Sequence, residues 1–69
     1  MKIYSIIRKE EDFESMKSLY VQLMENEPES LLILGEDYKI ERYVIGRNLY
    51  YVHIVDGMKI KKICCYTEI

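Results

Sequence analysis

The chain has 69 residues, 49% of them hydrophobic and 32% charged, with a formal net charge of -2 and a sequence pI near 5.3. That balance belongs to a folding globular chain rather than a disordered one, and the length allows one domain whose modest core supports a net stability on the order of 3 to 5 kcal/mol. It leaves little room for a deep active site, and no apolar run approaches the roughly 20 residues needed to cross a bilayer.

The N-terminal stretch MKIYSIIRKEEDF has only short apolar pieces and no small-residue cleavage site, so the expectation is a cytosolic protein without a targeting segment. Within it, residues 2 to 8 are β-branched and aromatic. With Tyr4, Ile6 and Ile7 apolar on both sides, they read as a buried central strand. Next, Phe13, Met16, Leu19, Tyr20, Leu23 and Met24 recur at three- and four-residue spacing and form the apolar stripe of an amphipathic helix. Glu10, Glu11, Asp12 and Glu14 load its first turn with charge that suits the positive end of the helix dipole, and Pro28 ends it.

The segment SLLIL predicts a short apolar strand closed by a turn at residues 35 to 37. From Tyr38 the hydrophobic period becomes two. YKIERYVI, NLYYVHIV and MKIKKICCYT read as three strands, separated by Gly46 and its neighbours and by Asp56-Gly57, a pair suited to a type I′ hairpin turn. The expected fold is therefore a two-layer α+β domain of order β-α-β-β-β-β, with one amphipathic helix on a mainly antiparallel sheet of four to five strands.

Two-residue hairpin loops fix which side chains share a face. Tyr38, Ile40, Arg42, Val44, Leu49, Tyr51, His53, Val55, Met58, Ile60, Lys62 and Cys64 form one set. Lys39, Glu41, Tyr43, Ile45, Tyr50, Val52, Ile54, Lys59, Lys61, Ile63 and Cys65 form the other. The first set has more apolar residues at its middle and is expected to meet the helix, burying Ile40, Val44, Leu49, Val55, Met58 and Ile60. A bulge at Lys61-Lys62 is also indicated, because the apolar parity switches there from Met58 and Ile60 to Ile63 and Cys65.

Candidate chemistry is sparse. Cys64 and Cys65 are adjacent in a strand and point to opposite faces, which disfavours a disulfide between them, and one histidine leaves no four-ligand zinc set. The expectation is that one thiol faces the core and the other is half exposed. His53 and Cys64 share a face, but no glycine-rich loop accompanies them to build an oxyanion hole, and no phosphate-binding or dinucleotide-binding pattern occurs. No catalytic residue, metal or cofactor is assigned.

Charge is uneven along the chain. Residues 1 to 37 carry nine acids and four bases, whereas residues 38 to 69 carry three acids and six bases. Such asymmetry points to a charged partner. The second sheet set is the first candidate surface: Lys39, Tyr43, Arg47, Tyr50, Val52, Ile54, Lys59, Lys61 and Ile63, with tyrosines and arginine as interface anchors and lysines at the rim. The acids Glu10, Glu11 and Glu14 form a second, a line of carboxylates with the electrostatics of a nucleic-acid backbone.

The leading functional expectation is a small non-enzymatic protein-binding module, an adaptor or stoichiometric inhibitor, expected to form a homodimer and to have no membrane partner. Short acidic chains of this kind are common among phage and other mobile-element proteins that block nucleic-acid-handling enzymes, an analogy of form only. The alternative is a single-stranded nucleic-acid binder that stacks bases on sheet tyrosines and holds phosphates with the lysines, against which the acidic pI weighs.

Overall fold

The computed structural model describes residues 1–69. The elements follow as β1 (Tyr4–Glu10), α1 (Phe13–Leu23), β2 (Ser30–Ile33), β3 (Tyr38–Ile45), β4 (Asn48–Val55) and β5 (Lys59–Glu68). The five strands form one sheet of order β1-β5-β4-β3-β2, antiparallel throughout, with α1 on one side. This is the α+β fold and element order expected. No helix is long and apolar enough to cross a membrane.

Local signals act as their chemistry requires. Asp12 caps α1: its carboxylate accepts the Ser15 N–H at 3.1 Å, meeting one of the donors that the first helical turn leaves free. The helix ends at Leu23, a turn short of Pro28. Gly46, with φ 61, opens the two-residue loop between β3 and β4 at the position where a hairpin turn needs a residue free of a Cβ. Asp56 and Gly57 both adopt positive φ, 49 and 85, yet pairing resumes only at Val55 with Lys59, so Met58 joins the loop.

The extra loop residue and a second irregularity set the core. Ile54 pairs with Ile60 whereas His53 pairs with Lys62, so Lys61 is the additional residue of a bulge, at the place the parity switch indicated. Ile60 and Ile63 thereby both join Tyr43, Val52 and Ile54. Met16, Leu19 and Leu23 of α1 close over this group, and Val52 and Ile63 are 0% exposed.

The helix therefore covers the opposite face from the one expected. Tyr43, Val52, Ile54 and Ile63 are core residues, and Val44 of the other set is exposed at 47%. The reason lies in the charges. The uncovered face carries Arg42, His53 and Lys62 in its middle rows, and a helix laid over them would strand them without water. The helix-side face carries one central charge, Glu41, whose Oε1 accepts from Tyr20 at 2.8 Å and from Tyr43 at 3.1 Å.

Three further expectations are corrected. β1 is an edge strand, not a central one, because its only neighbour is β5, and Ile6 and Ile7 are exposed. It also runs on to Glu10, so Glu10 and Glu11 precede the helix and only Glu14 of the three acids sits on it. Met58 lies at an exposed loop tip rather than in the core.

The inverted packing is directly testable by urea unfolding. Ile63→Ala should cost about 2 to 5 kcal/mol, a large part of the total. Val44→Ala should stay within about 0.5 kcal/mol. The reverse ranking would place the core on the other face.

Candidate functional site

The sheet face turned away from α1 has no layer of the chain upon it. Cross-strand partners share a face, so the register assigns its rows: Arg42, Tyr51, Cys64 and Lys9 in one, Ile40, His53 and Lys62 in the next, and Val44, Leu49, Tyr66 and Ile6 in a third. Tyr38 and Val55 lie at one end, and Tyr4 and Glu68 at the other. Four tyrosines and a histidine thus gather on one open surface, around a depression of about 370 Å³ lined by Tyr4, Ile40, Leu49, Tyr51, His53 and Tyr66.

The aromatic rings brace one another. Tyr51 and Tyr66 meet edge to face with centroids 5.6 Å apart, and Tyr38 meets His53 in the same manner at 5.8 Å. Arg42 ties the face to β2. Its Nε donates to the Tyr51 hydroxyl at 3.1 Å, its guanidinium carbon lies 5.9 Å from that ring's centre, and its terminal nitrogen pairs with Glu29. The phenol contact is the main reason that the guanidinium is held above its ordinary value, so it is a fixed cation. Lys61, freed by the bulge, places its ammonium 5.7 Å from the Tyr38 ring centre.

His53 is the imidazole of this face, and Tyr38 holds it in place. The Tyr38 hydroxyl lies 2.7 Å from its Nδ1, and with the imidazole neutral and its proton on Nε2 the phenol donates to that nitrogen. Burial, then Lys62 and Lys61, push its pKa below the ordinary value. Cys64 shares the face but is only 6% exposed, and Nδ1 of His53 is engaged by Tyr38 rather than by a thiol. Both cysteines are buried, not one as expected; burial pushes the Cys65 thiol up.

The residues singled out by sequence are dispersed. Tyr43, Val52, Ile54 and Ile63 lie beneath α1, Tyr50 packs against that core, and Lys39 flanks Ile54 on the same side. Arg47 stands in the β3–β4 loop. Lys59 and Lys61, with Lys17, edge a groove of about 750 Å³ between α1 and the β4–β5 hairpin, floored by Phe13, Met16, Tyr20 and Ile60. Glu10 pairs with Arg8 at 3.3 Å and Glu11 with Lys9 at 3.6 Å, so the expected line of free carboxylates is broken up and partly neutralised.

Sequence reasoning had already grouped Tyr38, Arg42, Tyr51, His53 and Lys62 by parity, and it missed them as a site only by assigning their face to the core. The available signal was the position of the charges: a face with Arg, His and Lys in consecutive central rows is a wet face. Tyr4 and Tyr66 were missed because the pairing of β1 with β5 joins the two ends of the chain, which no local pattern reports. No protein-family model, curated protein or solved structure matches the chain.

The site gives a pH dependence with a definite sign. A histidine whose folded pKa lies below its unfolded value of about 6.5 favours the fold fully above that value, and the contribution is lost as pH falls through the lowered folded pKa. Stability should therefore decline from neutral pH into the mildly acidic range. His53→Gln should flatten that decline in urea titrations at successive pH values.

Proposed function

We propose that the chain is a small, non-enzymatic, cytosolic protein-binding module, an adaptor or stoichiometric inhibitor, that docks a protein partner on the open sheet face. One observation carries the reading: half of the sheet's surface is uncovered, yet it is rich in tyrosines, with Leu49 and Cys64 already desolvated at its centre. Tyrosine and arginine anchors beside the buried Leu49 and Cys64, with Lys9, Lys61 and Lys62 along β1 and β5, have the composition of a protein interface. The rings are pre-positioned by their mutual contacts and hydroxyl bonds, which lowers the entropy lost on binding. The two free, buried thiols fit a reducing compartment.

A second reading rests on the cations. Arg42, Lys61, Lys62 and Lys9 border the same aromatic face, as in surfaces that stack single-stranded bases and track phosphates. Two features favour the protein reading. Tyr51 and Tyr66 are engaged edge to face with each other, and Tyr38 with His53, which leaves fewer free ring faces for bases, and Arg42 is already paired with Glu29. The net charge of -2 also opposes binding to a polyanion.

Capture from the native host's lysate separates the two. A stoichiometric protein partner should be retained after nuclease treatment and lost on combining Tyr51→Ala with Tyr66→Ala, with the fold verified by circular dichroism. For the alternative, fluorescence anisotropy with a single-stranded oligonucleotide of about 12 residues should show binding that falls steeply with salt and disappears when Lys61 and Lys62 become glutamate. Capture that depends on intact nucleic acid would overturn the protein reading.

A further inference from the structure

The outer edge of β2 is a separate surface, and its reading does not depend on what occupies the open face. The Leu34 N–H donates to the Tyr38 carbonyl at 2.9 Å, and the β2–β3 register runs without a break from Ser30 to Ile33. In an antiparallel ladder, alternate residues turn both backbone groups to the same side. Ser30, Leu32 and Leu34 therefore bond inward to β3, and Leu31 and Ile33 direct their N–H and C=O groups outward, where the sheet ends.

This edge lacks the devices that ordinarily close one. Natural edges carry an inward lysine, a proline, a bulge or a covering segment. From Ser30 to Leu34 there is no charge and no proline, and Leu31, Leu32, Ile33 and Leu34 are exposed at 52%, 55%, 68% and 55%. Pro28 and Gly35 bracket the strand, and beyond them stand Glu25 and Glu27 on one side and Glu36 and Asp37 on the other, none of which makes an ion pair.

Those flanking acids decide the occupant. A second copy added antiparallel about a two-fold axis at Leu32 would bring the acidic turn of each copy, Glu36 and Asp37, to the end of the strand where Glu27 and Glu29 of its mate stand, so like charges would gather at both ends. The edge is complementary instead to a strand that is apolar in the middle and positive at both ends. We infer that β2 accepts, as a sixth strand, an extended segment of another protein with about five residues of β-forming, largely apolar sequence flanked on each side by lysine or arginine. Backbone bonds to Leu31 and Ile33 supply affinity, and the four carboxylates supply selection.

The test uses the full chain and two synthetic peptides, one with a Val-Thr-Val-Thr-Val centre and two lysines at each end, the other with glutamates in place of the lysines. Amide hydrogen exchange by NMR reads the result. The lysine peptide should slow exchange at Leu31 and Ile33 by roughly tenfold or more, and the glutamate peptide should not. Ile33→Pro removes an outward N–H while sparing the β3 ladder, so it should abolish the effect with exchange at Ile40 and Arg42, whose N–H groups face β2, unchanged. Leu32→Lys, which puts charge on the strand and repels the same peptide, should weaken it independently. No protection at millimolar lysine peptide, equal protection by both peptides, or protection without peptide that grows with protein concentration would each overturn the proposal, the last in favour of a second copy.

Discussion

Lys61 has no partner across β4, and the rest of the structure depends on that one-residue excess. Because Ile54 faces Ile60 and His53 faces Lys62, two isoleucines three positions apart reach the same side of the sheet, which an unbroken strand would forbid. They complete the patch with Tyr43, Val52 and Ile54 on which the apolar stripe of α1 can close. The same slip puts Lys62 on the open face and Lys61 at its border, where its ammonium lies near Tyr38 and both lysines act on His53. Core and open face are thus two outcomes of a single register change.

Electrostatics then makes the choice of faces irreversible. Arg42 is fixed by Glu29 and the Tyr51 phenol, an arrangement partly open to water. Beneath the apolar stripe of α1, Met16, Leu19 and Leu23, Arg42, His53 and Lys62 would lose water and gain no partner. Glu41 shows the condition under which a charge is tolerated on the covered side. It takes two phenol donors, and burial together with that carboxylate pushes the Tyr20 hydroxyl well above its ordinary value. No buried side-chain polar atom is left without a partner.

The order of elements, the helix stripe, the positive-φ residues at Asp56-Gly57 and the bulge were legible in the sequence, because each is written in local spacing or turn chemistry. So was the grouping of Tyr43, Tyr50, Val52, Ile54 and Ile63. What period two cannot supply is direction: it separates two sets of side chains without saying which one meets the helix. Counting apolar residues favoured the wrong set, whereas the placement of Arg42, His53 and Lys62 would have favoured the right one. Strand order was also hidden, since the β1–β5 pairing is the longest-range contact of the chain, and the apolar look of Tyr4, Ile6 and Ile7 fits an exposed edge as well as a buried centre.

With 10 of 69 residues buried, the intramolecular core is small beside the surface that the sheet leaves uncovered. The radius of gyration, 11.8 Å, is accordingly a little above the roughly 11 Å of a fully compact chain of this size. A partner on the open face, as proposed, would add to the stability of the fold by mass action and so link recognition to folding through the same layer. Leu32 connects that layer to the edge. Its side chain lies on the open face beside Ile40 while its backbone bonds inward, so a strand added at β2 extends the open face by one row. The proposed partner on the face and the proposed segment on the edge would therefore share a boundary, and occupation of one would change the area available to the other.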